Sequence, residues 1–227
     1  MFKVWGWLAT LLLSTAAHAL SLDQLTSQDA TGGLKEALSQ GASKAVSSLG
    51  ATNGFLGNPK VKISLPGQLD KAASMMRKLG MGAQVNELET AMNRAAEAAV
   101  PQARQLLANS IKSMSVQDAK GILTGGDTAV TDYFQRTTSA PLTETFKPIV
   151  QQAMAKVKVR EAYEQFAGKA AKFGVISQED SQLDNYVTRK TLDGLYLMIG
   201  EEEKAIRQNP VGAAGNLAKK VFGALGQ

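Results

Sequence analysis

Cysteine is absent from the 227-residue chain, and histidine and tryptophan are nearly so, with one His and two Trp. Those three residues, Trp5, Trp7 and His18, all stand in the first 19 positions. The chain opens Met-Phe-Lys, runs through the apolar residues 4–13 and reaches Ala17-His18-Ala19, a small-residue cleavage pattern. This reads as a secretory signal peptide over residues 1–19, cleaved after Ala19, which predicts a periplasmic protein. A membrane anchor needs about 20 apolar residues, more than this run supplies. The mature chain, residues 20–227, therefore contains no Cys, no His and no Trp. Disulfides cannot form, so packing alone must hold the fold. Histidine triads, thiol catalysis and His- or Cys-ligated metal or haem sites are excluded, and no metal and no cofactor is expected. No transmembrane segment is expected in the mature chain.

Strong charge of one sign is also missing. Loss of Lys3 lowers the formal net charge from +5 to +4, with no long basic run. That is a mild bias toward anionic surfaces and does not indicate nucleic-acid binding.

What is present is helical periodicity over most of the chain. Leu34, Leu38, Ala42, Ala45 and Leu49 recur at three- and four-residue spacing, as do Leu69, Ala73 and Met76, then Val85, Leu88, Met92 and Ala96, then Leu107, Ile111 and Met114. Ser115-Val-Gln-Asp118 predicts a capped helix stopping at Gly125-Gly126, and Asp127-Thr128 predicts the cap of the next. Ser139-Ala-Pro-Leu predicts a further start, residues 160–173 another helix, Ser177-Gln-Glu-Asp180 the cap of a long one ending at Arg207, and Asn209-Pro210 the cap of a last one. Around residues 58–66, Val61, Ile63 and Leu65 alternate with Lys60, Lys62 and Ser64. This is a strand pattern, and a lone strand must find a partner or lie as an extended arm against helices. The fold class is thus mainly α: one domain over residues 20–227, a multi-helix bundle with one short β element or extended arm.

The stretches "GFLGNPKVKISLPG", "LGMGAQVNELETAMNRAAEAAVPQA", "MSVQDAKGILTGGDTAVTDYF" and "YVTRKTLDGLYLMIGEEEKAIRQNPVG", in this order, resemble a family of exported proteins common in Gram-negative proteobacteria, the domain of unknown function 4197 family. The resemblance spans essentially the whole mature chain. It implies an α-helical periplasmic or envelope protein and brings no catalytic residue, cofactor or partner.

Several local patterns invite a chemical reading. Gly121 to Thr128 has the Walker A spacing, but Asp127 replaces the lysine and the preceding residues read as helix, so the economical reading is a turn with left-handed glycines. Gly80-Met-Gly82 is a partial dinucleotide fingerprint that follows a helix, and reads as a turn. Asp193 and Glu201 are about 12 Å apart along a helix, too far for joint acid/base work, and Glu203–Arg207 reads as an i,i+4 pair on a solvated face. The methionine stripes read as core packing before a lipid pocket, and the last helix, bearing Lys219 and Lys220, as docked on the bundle before a membrane.

The expectation is a non-enzymatic periplasmic binding or interaction protein for a hydrophobic or anionic ligand, its partner an envelope component or lipid. The alternatives are a hydrolase or lyase using carboxylate, Lys or Tyr groups, and a structural envelope protein. No catalytic residue is assigned. The ligand-binding residues selected are Thr124, Gly125, Gly126, Asp127 and Thr128, with Arg189 and Lys190 as anion contacts.

Overall fold

The computed structural model describes residues 27–66, 69, 73–74, 77–155, 160–174, 177–178 and 181–209. The expected signal peptide and the expected last helix, with Lys219 and Lys220, lie outside the described residues. Helix α1 spans Ser27–Leu49, α2 Gly82–Ala99, α3 Ala103–Ser113, α4 Val116–Thr124, α5 Ala129–Met154, α6 Arg160–Lys172 and α7 Leu183–Gln208. A π-turn at Arg77–Met81, in which Gly80 takes φ 85, enters α2, so the Gly-Met-Gly segment is the turn its residues predict.

The frame is the antiparallel pair α5–α7. Thr138 Oγ1 lies 2.9 Å from the Tyr196 hydroxyl, and Gln151 donates to Asp184 over 2.7 Å, so partner numbers fall on α7 as they rise on α5. Helix α1 packs against α7, α3 and α4, and α2 packs against α5 and α7. Leu34, Phe134, Leu142, Phe146, Leu183 and Leu195 are fully buried where these faces meet. Each such side chain contributes about 2–3 kcal/mol on burial.

Helix α5 departs from the expected break at Ser139. It runs through Pro141 and Pro148. Proline inside a helix removes a donor and crowds the preceding turn, yet both flanks of this helix are buried, with Tyr133 and Phe134 before Pro141 and Phe146 and Val150 after it. Tertiary packing overrides the local stop.

No strand occurs among the described residues. Residues 58–66 form turns and an extended arm, the second of the two expected forms. The alternation holds, because Val61, Ile63 and Leu65 are buried while Lys60, Lys62 and Ser64 are exposed. In place of a neighbouring strand, the fully buried Asn93 of α2 accepts from Ile63 N–H and donates to Ile63 C=O, both over 2.8 Å. The Tyr186 hydroxyl donates to Ser64 C=O over 2.7 Å.

Glu97 accepts from the Phe55 and Leu56 amides, each over 3.1 Å, and pairs with Arg94. Burial alone would raise its pKa, but these amides and Arg94 outweigh burial and hold the carboxyl below its ordinary range. Gly194 of α7 lets Phe55 close in, since a Cβ there would stand 2.8 Å from the Phe55 ring.

Candidate functional site

The Gly-Gly-Asp corner joins α4 to α5. Ser115 and Asp118 close a reciprocal capping box at the start of α4, as their spacing predicts. At its end Gly125 has φ −80 and ψ 168, and left-handed glycines among the described residues stand only at Gly80 and Gly174. The expected left-handed geometry at residues 125–126 is therefore corrected. Gly125 is required by space, because a Cβ there would lie 2.6 Å from Gly121 C=O and 2.7 Å from the Ala129 Cβ. Thr124 donates to Lys120 C=O over 2.9 Å, and Thr128 donates to Asp132 over 3.1 Å. Thr128 stands at the cap of α5 but its side chain takes no first-turn amide.

That end of α5 is faced instead by Glu203, from the far end of α7. Glu203 is 4% exposed, so the expected solvated ion pair with Arg207 forms, but inside the protein. Arg207 reaches the Glu203 Oε1 over 2.8 Å and also donates to Ile122 C=O in the last turn of α4 over 2.8 Å. A cation thus meets the negative end of α4 and a carboxylate the positive end of α5. Glu203 Oε2 has no hydrogen-bond partner, although the Val130 amide lies near enough to favour the charged form. Burial dominates and pushes the carboxyl above its usual range, opposed by Arg207 and reinforced by the charge of Asp127. Asp127 and Glu203 thus stand at this corner together with the Arg207 cation.

Arg189 and Lys190 are not brought to that corner. They precede Glu203 on α7 by 14 and 13 residues, which places Arg189 about 21 Å away along the helix. Between Arg189 and the α5 wall lies a different feature, an open groove of about 560 Å³. Its α5 side is Gln135, Ser139, Thr143 and Lys147, four polar residues at a strict spacing of four that form one stripe on the helix. Its α7 side includes Asn185, Thr188, Arg189, Asp193 and Tyr196.

Thr188 is 2% exposed, and its Oγ1 has no hydrogen-bond partner. One turn on, by contrast, Thr191 satisfies its hydroxyl on Val187 C=O over 2.7 Å. Tyr196 keeps its hydroxyl on Thr138, and burial pushes its pKa up despite that bond, so it stays protonated. Arg189 lies 3.6 Å from Asp193 and over the Tyr186 ring, with 5.6 Å to the ring centre. Lys190 pairs with the same Asp193 over 3.3 Å and faces a smaller groove of about 280 Å³, between α7 and the arm carrying Lys60 and Lys62. No three metal-ligating side chains cluster among the described residues.

A model described as "Protein of unknown function (DUF4197)" matches residues 24–223. The chain belongs to the DUF4197 family. No curated protein and no solved structure matches it. In this DUF4197 chain Gln135, Ser139, Thr143 and Lys147 stand at i,i+4 spacing, but the helix start read at Ser139 hid them as one stripe until the structure showed α5 to be continuous. The groove it lines was hidden as well, because its other wall comes from residues some fifty positions later. The burial of Glu203 and the unpartnered Thr188 hydroxyl likewise depend on long-range packing. Among the described residues, no helix is long and apolar enough to cross a membrane.

Proposed function

We propose that this DUF4197 protein is a non-enzymatic binding protein, exported to the periplasm, that takes a small polar ligand in the α5–α7 groove. The observation that carries this reading is the Thr188 hydroxyl. A buried hydroxyl without a partner costs about 1–3 kcal/mol, and a ligand seated in the groove would remove that cost. The groove's volume suits a small molecule. Its lining, rich in hydroxyl, amide and charged groups, favours a polar ligand over a lipid tail. The carboxylate-hydrolase reading finds less support, since Asp193 is the single acid among the described lining residues of either groove.

Native mass spectrometry tests the proposal on protein purified from the envelope fraction without detergent. The expected result is a co-purifying small molecule on the wild type that is lost in Thr188→Val. A wild type carrying nothing, or a ligand equally retained by the variant, contradicts it. Export is tested separately by deleting residues 1–19, which is expected to trap the chain in the cytoplasm. An exported wild-type chain that keeps its first 19 residues would overturn cleavage after Ala19.

A further inference from the structure

We infer that the groove selects an oxyanion, phosphate or carboxylate, carried on a hydroxyl-bearing body, with the anion seated where Lys147, Thr188 and Arg189 meet. This rests on the α5–α7 groove being the binding site.

The antiparallel register brings those three residues together. Contacts at Thr138–Tyr196 and Gln151–Asp184 fix which turns of α5 and α7 face each other. Counting turns inward from the second contact places Lys147 at the level of Thr188 and Arg189. Asn185 adds a further amide at this end. Two cations, a neutral hydroxyl donor buried without a partner and an amide are the set that recognises an oxyanion. Lys147 makes no ion pair with any described residue. Arg189 lies 3.6 Å from Asp193, which also pairs with Lys190. The Lys147 charge at this end is the one left for a ligand to neutralise.

The opposite end of the groove has a different chemistry. Gln135, Ser139 and Tyr196 line it, about 10 Å along α7 from Arg189, and Asp193 stands between the two ends. A carboxylate and hydroxyls there accept and donate to ligand hydroxyl groups. A purely anionic body would instead meet the charge of Asp193. The combination fits a sugar phosphate or a sugar acid.

Calorimetric titration of the mature chain with glucose 6-phosphate, glucuronate and glucose tests the inference at low ionic strength. At least one of the charged sugars is expected to bind, its identity distinguishing phosphate from carboxylate, with glucose at least about tenfold weaker. Thr188→Val and Lys147→Gln are each expected to weaken the charged sugar about tenfold, the loss of one charge-assisted contact. Thr188→Ser, which keeps the hydroxyl, is expected to stay within about twofold of the wild type. Glucose binding as tightly as its charged relatives, or no binding of either charged sugar, overturns the inference. A neutral molecule found in the groove by native mass spectrometry would also overturn it while leaving the groove as the binding site.

Discussion

At the scale of single residues, the corner between α4 and α5 separates two glycines that look equivalent in the chain. Gly125 has no room for a Cβ against Gly121 C=O and Ala129, whereas a Cβ on Gly126 would meet nothing within 4 Å. Gly125→Ala is therefore expected to cost about 1–3 kcal/mol of stability through overpacking. Gly126→Ala should be neutral or stabilising by about 0.4–1 kcal/mol, because its φ is not left-handed and the substitution restricts the unfolded chain. Urea unfolding of the two variants distinguishes these outcomes, and equal losses would contradict the packing account. The same corner shows how far sequence reasoning reaches. The capping box at Ser115 and Asp118 is local and was legible, while the group facing the start of α5 comes from Glu203 and was not.

At the scale of elements, the arm over residues 58–66 is held by side chains standing in for a strand. Its alternation of Val61, Ile63 and Leu65 against lysines was readable from the sequence, because burial of one face dictates it. Its partner was not, since nothing local marks Asn93 as the residue that meets both polar groups of Ile63. Asn93→Ala leaves that N–H and C=O buried and unpaired, an expected loss of about 2–4 kcal/mol. Amide exchange at Ile63 should accelerate in this variant more than exchange within α5, and protection unchanged at Ile63 would show that the arm is held by its apolar contacts alone. Helix α5 shows the converse limit. Ser139-Ala-Pro141 signals a new helix start that the buried faces around it override, so residue-level punctuation placed a boundary where tertiary packing keeps one helix.

At the scale of the whole molecule, two buried carboxylates pull the pH dependence of stability in opposite directions. Glu97 has its pKa lowered by amides and Arg94 against the effect of burial, so it contributes stability above the ordinary 4.5 that is lost as pH falls through its depressed value. Glu203 has its pKa raised by burial, so between the ordinary 4.5 and that raised value the native state binds more of this proton than the unfolded chain does. Its contribution is greatest below 4.5 and declines as pH rises through its raised value. Urea midpoints followed from about pH 3 to about pH 8 should show the acid-side loss flattened in Glu97→Gln and the decline toward neutral pH flattened in Glu203→Gln. Identical profiles in the two variants would contradict this assignment. The balance of the fold also bears on the groove, where an unpartnered hydroxyl is kept at a cost to the bundle, a trade expected where binding needs the group. The most direct test measures stability and binding on the Thr188→Val protein together. The account predicts that its unliganded form is more stable than the wild type by about 1 kcal/mol, and that its affinity for the charged sugar falls about tenfold. A variant that binds as tightly as the wild type, whatever its stability, would contradict the groove as the binding site.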